Sequence, residues 1–322
     1  MTARTYELVH RTAYTYDEPV TSSYGRAVLL PRELPEQHVH RRVLEVEPEP
    51  ADTAEHVDYF GNTSSYFAVT APHSELVVTA RSLVTVDRPA DRPVADLPRA
   101  TWEDVARAVR PGGTAETADG AGGASDALVV LREALLPSHH AAFTDPVRAW
   151  SAPSFAPGRP LVEVLADLTR RVHEEMRYLP GSTTVTSTHD EVLAQRAGVC
   201  QDFAHLTIAA LRLHGVPARY VSGYLETQPP PGQEKLLGAD ASHAWVAAWL
   251  PGAGWVEVDP TNDTVVDSRY VVLGWGRDYA DVPPLRGVIF TEAAESRLSV
   301  SVDLTPVELT DAGGRTSPDA PR

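Results

Sequence analysis

A chain of 322 residues, 43% hydrophobic and 22% charged, has the length for one large domain or two ordinary ones and the composition of a globular protein with a sizeable core. Its 44 acidic residues outnumber 28 basic ones, and a formal net charge of −16 repels phosphate backbones, which argues against nucleic acid as a partner. The single cysteine, Cys200, excludes an intramolecular disulfide framework, and no stretch approaches the ~18 apolar residues of a membrane span. The segment 1–7 lacks the apolar run of a signal peptide, so a cytoplasmic location with no membrane attachment is the expectation. Lys235 is the only lysine, so the side chains offer almost no primary amine of their own.

Residues 1–88 read as an antiparallel β domain. Tyr6, Leu8, His10, Thr12, Tyr14 and Tyr16 recur with a period of two. Segments 39–46, 64–70 and 75–86 are rich in Val, Thr and aromatic residues, and Gly61-Asn62 reads as a hairpin turn. Residues 89–160 change character and read as a helical and flexible connector. Pro89, Pro93 and Pro98 punctuate its start, helices are expected over 101–109 and 125–136, and the small residues of 112–123 read as a mobile loop.

From 161 onward the pattern is that of a compact core, assigned to 161–305. Leu161, Val164, Leu165, Leu168 and Val172 predict a helix from 161 to 176. A short helix capped at 187–190 runs to Ala197, Gly198 breaks it, and a second helix covers 200–214 with Gly215 as its stop. Strands are expected at 218–225, 242–250, 254–259 and within 287–308. The tail, 306–322, is polar and rich in Gly, Ser and Pro towards its end, and reads as disordered.

A lone cysteine is commonly an inert buried side chain. The setting of Cys200 is different, because it follows a turn at Ala197-Gly198-Val199 and opens a helix. The partial positive charge and free N–H groups there stabilise a thiolate and can bind an oxyanion developing on an attacked carbonyl. Such a nucleophile needs a proton carrier. His243 opens one strand and Asp259 ends the next, just before Pro260. If Pro251-Gly252-Ala253 is a three-residue hairpin loop, Leu250 pairs with Gly254 and Asp259 lies opposite Trp245. Asp259 is then the diagonal, same-face neighbour of His243, ~7–8 Å away between backbones. A hydrogen bond across that gap would fix the imidazole tautomer.

These segments carry a resemblance. Gly198-Val199-Cys200-Gln201-Asp202-Phe203-Ala204-His205-Leu206, Ala241-Ser242-His243-Ala244-Trp245 and Gly254-Trp255-Val256-Glu257-Val258-Asp259-Pro260-Thr261-Asn262 resemble, in order, the three motifs of bacterial transglutaminase-like proteins. The strand Ala218-Arg219-Tyr220-Val221-Ser222-Gly223-Tyr224 and the stretch from Gly276 to Gly287 match its usual continuation, and residues 1–88 are similar to the N-terminal region of that family. Trp275 stands where a smaller residue is expected. The resemblance implies an α+β fold, a papain-like transglutaminase core in which the cysteine helix packs on an antiparallel sheet, preceded by an antiparallel β domain. It also implies Cys200, His243 and Asp259 as a catalytic triad with no cofactor.

Around that triad, Tyr178 is a candidate oxyanion donor and Trp245 a candidate cleft wall. Asp202 suits the first helical turn, and His205 lies off the face of Cys200. The pairs His38/His40 and His139/His140, like Asp263 and Asp267, lack a metal-ligand pattern, so no metal is expected. The function expected is cysteine-dependent acyl transfer on a peptide or protein amide, with hydrolysis favoured over an amine acceptor. A non-catalytic protein-binding module on the same fold is the alternative from another class.

Overall fold

The computed structural model describes residues 3–88, 96–110, 112–113, 124–184, 186–227, 241–291 and 295–308. Its first part is β1 (Arg4–Val20), β2 (Ser22–Ala27), β3 (Gln37–Glu47), β4 (Asp52–Val57), β5 (Thr63–Val69) and β6 (His73–Val86). The alternation in β1 buries Tyr6, Leu8, His10, Thr12 and Tyr16 on one side. That side serves two cores. Tyr6 and Leu8 pack with Val84 and Val86 of β6, and Tyr16 and Val20 pack with Phe67 and Val69 of β5. β3, β6 and β1 lie side by side in one sheet, and β4, β5 and β2 in another. β4 escapes a hydrophobic pattern search because every one of its residues is exposed. The turn before β5 is built as expected, with Gly61 at φ 76° and Asp58 accepting from the Phe60 and Asn62 amides.

The helices follow: α1 (Trp102–Ala108), α2 (Ala124–Glu133), α3 (Asp145–Ser151) and α4 (Leu161–Glu175), then β7 (Arg177–Tyr178), α5 (His189–Gln195), β8 (Ala197–Gly198) and α6 (Cys200–Leu213). Thr101, Thr144 and Thr188 cap α1, α3 and α5 through their hydroxyls. α3, two turns long, has too short an apolar period to announce itself. The sequence then enters β9 (Ala218–Leu225), β10 (Ala241–Leu250), β11 (Gly254–Asp259), β12 (Thr264–Val265) and β13 (Tyr270–Gly276). These form a five-stranded antiparallel sheet in the order β12-β11-β10-β9-β13. α6 lies on it and is buried on nearly every side from Asp202 to Arg212. Phe203, Leu206 and Ile208 share one core with Leu165 and Leu168 of α4 and with Ala244, Val246 and Trp249 of β10. Gly215 ends the helix at φ 85°, a left-handed position suited to glycine.

The expected unit 161–305 does not follow the sheets. β14 (Leu285–Phe290) pairs with β2, and β15 (Ser296–Pro306) pairs with β1 from Tyr16 to Tyr6, so the C-terminal strands complete both N-terminal sheets. A strand does not encode its distant partner, which is why the sequence pattern placed these two with the preceding core. Residues 306–308 continue the pairing, with the Val307 amide donating to Thr5. The mobile loop expected at 112–123 lies, beyond a turn at 112–113, outside the described residues, as does the chain after 308. Among the described residues no helix is long and apolar enough to cross a membrane.

Candidate active site

Cys200 is the first residue of α6, with Val199 extended before it. Asp202 closes this first turn: its Oδ2 accepts from the Val199 amide at 2.8 Å and from the Thr183 hydroxyl at 2.6 Å. Gly198 suits that closure, because a Cβ there would stand 3.0 Å from the Asp202 side chain and oblige it to shift. The Cys200 and Gln201 amides, like those of any first helical turn, have no acceptor within the helix and are placed to serve an oxyanion. Cys200 itself is partly exposed.

β10 and β11 bring the other two residues to it. Leu250 pairs with Gly254 and Val246 with Val258, the register of a three-residue loop, which sets Asp259 across from Trp245 as the spacing predicts. His243 Nε2 lies 2.7 Å from Asp259 Oδ2. Its other ring nitrogen is left for the Cys200 thiol, which is near enough to be among the groups that raise the His243 pKa. The imidazole is 9% exposed and the carboxylate fully buried. Burial on its own would drive the imidazolium towards neutrality. The hydrogen bonds and charges of Asp259 and Cys200 outweigh it and raise the His243 pKa to about 10. Burial likewise opposes ionisation of Asp259, yet its donors and the imidazolium hold it below the ordinary carboxylate value.

Asp259 has more donors than the histidine. Its Oδ1 accepts from the Thr261 amide at 2.9 Å, and its Oδ2 also accepts from Asn262 Nδ2 at 2.6 Å and the Tyr270 hydroxyl at 2.8 Å. Asn262 is visible in the sequence as part of the Asp-Pro-Thr-Asn turn. Tyr270 was not foreseen. It enters from β13, and nothing in its local pattern says that β13 packs beside β9 with that hydroxyl turned to Asp259. Burial, reinforced by the Asp259 charge, raises its pKa far above the usual phenol value, so it remains a donor.

The remaining expectations divide. Trp245 is completely buried and presents no wall to a cleft. Its ring instead stacks near His243, 6.2 Å between centroids, and meets Tyr270 edge-on at 5.3 Å. The sequence places it on the His243 face correctly but cannot say that the Tyr270 ring of β13 and the Glu257 carboxylate meet it there. Tyr178 is 51% exposed and pairs through β7 with Gly198. Burial of its other half and the nearby Cys200 charge raise its pKa, which keeps the hydroxyl a donor.

His205 is buried away from the triad and accepts from the Tyr279 amide. His140 stacks on it at 5.1 Å, while His38 and His40 hydrogen-bond to Glu33 and Thr85. Among the described residues no group of three or more His, Cys, Asp or Glu is arranged to hold a metal ion. Trp275 has its own account: Arg32 and Arg219 stack on its ring at 3.6 and 3.7 Å. A cavity of about 210 Å3 lined by Tyr59, Trp255 and Trp275 is separate from the site, since none of Cys200, His243 and Asp259 lines it.

A cysteine at a helix start, facing a histidine and an aspartate on neighbouring strands of an antiparallel sheet, defines a papain-like architecture. The chain belongs to the transglutaminase-like superfamily: residues 148–260 match the model of that superfamily, and residues 6–85 match the bacterial transglutaminase-like N-terminal region. The match starts at 148, within α3 and ahead of the boundary at 161 suggested by hydrophobic period. An uncharacterized protein of Mycobacterium tuberculosis is 46% identical over 94% of this chain and 93% of its own. A protein-glutamine gamma-glutamyltransferase of Pseudomonas aeruginosa is 37% identical over 109 residues, covering 33% of this chain and 16% of the relative. In fold, a crystal structure of a proposed cysteine protease from Cytophaga hutchinsonii superposes with a TM-score of 0.69 at 20% identity, covering 96% of this chain and 93% of that one.

Proposed function

We propose that the protein is a cysteine-dependent acyl-transfer enzyme acting on peptide or protein amides, with Cys200, His243 and Asp259 as its catalytic triad and water as acyl acceptor. The observation that carries this reading is the 2.7 Å hydrogen bond between His243 and the buried Asp259, with Cys200 at the start of α6 near enough to the imidazole to help raise its pKa. The Cys200 thiolate adds to the amide carbonyl carbon, and the oxyanion is met by the first amides of α6 and, in this reading, the Tyr178 hydroxyl. The tetrahedral adduct collapses with cleavage of the C–N bond, while the His243 imidazolium gives its proton to the departing nitrogen. A thioester remains on Cys200. Water then attacks it with His243 as base, releasing the acid and restoring the thiol and its partner. Partial exposure of Cys200 supports water as acceptor, since solvent reaches the thioester.

The second reading replaces water by a primary amine, which makes the enzyme a transglutaminase. The similarity of residues in this chain to a protein-glutamine gamma-glutamyltransferase of Pseudomonas aeruginosa favours it. Intact-mass measurement with a panel of peptide amides tests the common part. A thioester, or a stable adduct at Cys200, is expected. Full turnover by Cys200→Ala would overturn both readings.

A further inference from the structure

Arg88 follows β6, at the exit of the N-terminal β region, yet its guanidinium is 6% exposed and points into the central sheet. Its NH1 donates to Glu257 Oε2 at 2.9 Å, and the same oxygen accepts the indole N–H of Trp245 at 2.8 Å. Trp245 is the ring that lies beside His243 and against Tyr270. Gly223, the β9 partner of His243, makes room for it: a Cβ there would stand 2.4 Å from the Trp245 ring. The backbone of Arg88 is held too. Its amide donates to Ser268 Oγ at 3.1 Å, and Ser268 Oγ donates back to the Arg88 carbonyl at 2.6 Å. Ser268 stands just ahead of Tyr270, whose hydroxyl reaches Asp259. Two contact routes therefore leave Arg88 and converge on the histidine–aspartate pair.

We infer that Arg88 is a positioning residue for this site, setting the plane of the His243 ring through Glu257 and Trp245 and the placement of Asp259 through Ser268 and Tyr270. On this view the N-terminal β region is part of the site's scaffold and more than a docking module. The inference rests on the triad reading. A buried arginine bridging two sheets is also what a purely structural ion pair looks like, and removing one partner of such a pair destabilises by leaving a buried charge. The test must therefore read the imidazole. The groups facing His243 are Cys200, Asp259, Tyr270 and Trp245, with Glu257 and its arginines Arg88 and Arg219 behind the indole.

The 322-residue chain has one cysteine, so alkylation reports Cys200 alone. The thiolate displaces iodide from iodoacetate or iodoacetamide, forming one S–C bond as the C–I bond breaks. An imidazolium beside the sulfur attracts the anionic reagent, so the iodoacetate-to-iodoacetamide rate ratio follows the protonation of His243. In the native protein the ratio is expected to fall with a midpoint near pH 10. Arg88→Met alone strips a positive charge and leaves the Glu257 carboxylate uncompensated, which acts to raise the midpoint. Positioning is therefore read in the charge-neutral pair Arg88→Met/Glu257→Met, expected to move the midpoint down by about one unit or more, with Arg88→Lys close to native. Folding of each variant is followed by thermal melting. Should that pair fail to fold, Arg88→Gln/Glu257→Gln replaces it, and the same downward shift is expected.

A folded paired variant with the native midpoint overturns the inference. So does a replacement pair that also fails to fold, since the pair then serves assembly alone. A native protein with no preference for iodoacetate sinks the triad reading itself. A native preference untouched by the paired variants sinks only this inference.

Discussion

Tyr270 and His243 share one acceptor: Asp259 Oδ2 takes the phenol at 2.8 Å and the imidazole Nε2 at 2.7 Å. The tyrosine comes from β13 and the histidine from β10, two strands separated in the sheet by β9. The carboxylate is thus held in place by a neutral donor that does not take part in proton transfer. Tyr270→Phe removes that donor while keeping the ring. A hydrogen bond to a buried charge is worth about 1.5–3 kcal/mol, which corresponds to roughly a tenfold loss or more when it is expressed in kcat. The expected outcome is a kcat deficit with KM little changed in a folded protein. Unaltered kcat would show that Asn262 and the Thr261 amide suffice.

The pH dependence follows from the direction of the His243 shift. The imidazolium is the acid that protonates the leaving nitrogen, so activity requires His243 protonated and is lost as pH rises through its pKa, about 10. The alkaline limb of kcat/KM on any accepted amide is therefore expected near pH 10, well above the 6.5 of an ordinary histidine. A limb near 6.5 would mean that the ion pair is not formed in the free enzyme.

Stability is linked to the same pair. His243 is raised on folding, so its contribution is complete below pH 6.5 and is lost as pH rises through about 10. Asp259 is lowered on folding, so its contribution is complete above the ordinary value of 3.8 and is lost as pH falls through the depressed one. Their joint contribution is full between roughly pH 4 and 6.5. The difference in melting temperature between the native protein and His243→Gln should be largest in that window and shrink towards pH 10. A difference that grows with alkalinity contradicts the assignment.

Loss of the proton carrier should cost more than loss of its orienter. Positioned acid–base groups contribute about 100- to 10,000-fold, so His243→Ala is expected to lose at least about 100-fold in kcat/KM, and Asp259→Ala less. Circular dichroism should find both variants folded. Near-normal rates in the two together would remove the triad from the mechanism.

The acyl acceptor is read by competition. With water as acceptor, acid forms at a rate insensitive to added primary amine. With an amine acceptor, labelled amine becomes the main product and turnover rises where deacylation limits. Hydrolysis is the expected outcome, and labelled conjugate exceeding free acid at millimolar amine reverses it. Lys235 is the only lysine, so ladders of self-crosslinked protein are expected in neither case.

Local chemistry was legible in the sequence because each signal lay within a few residues. Gly198 before Cys200 marks a helix start, Gly215 its stop, and Pro251-Gly252-Ala253 fixes a hairpin register that puts His243 and Asp259 on one face. Those are short-range constraints of backbone geometry and period, and the structure keeps them. Tertiary structure decided what comes from afar. It brought Tyr270 to Asp259, packed the Tyr270 ring against a fully buried Trp245 in place of an expected cleft wall, inserted Arg88 beneath the sheet, and returned β14 and β15 to the N-terminal strands. The reason is physical: a residue's period records which face it shows and how deeply, whereas the identity of the surface that covers that face is set only when distant strands pair and pack.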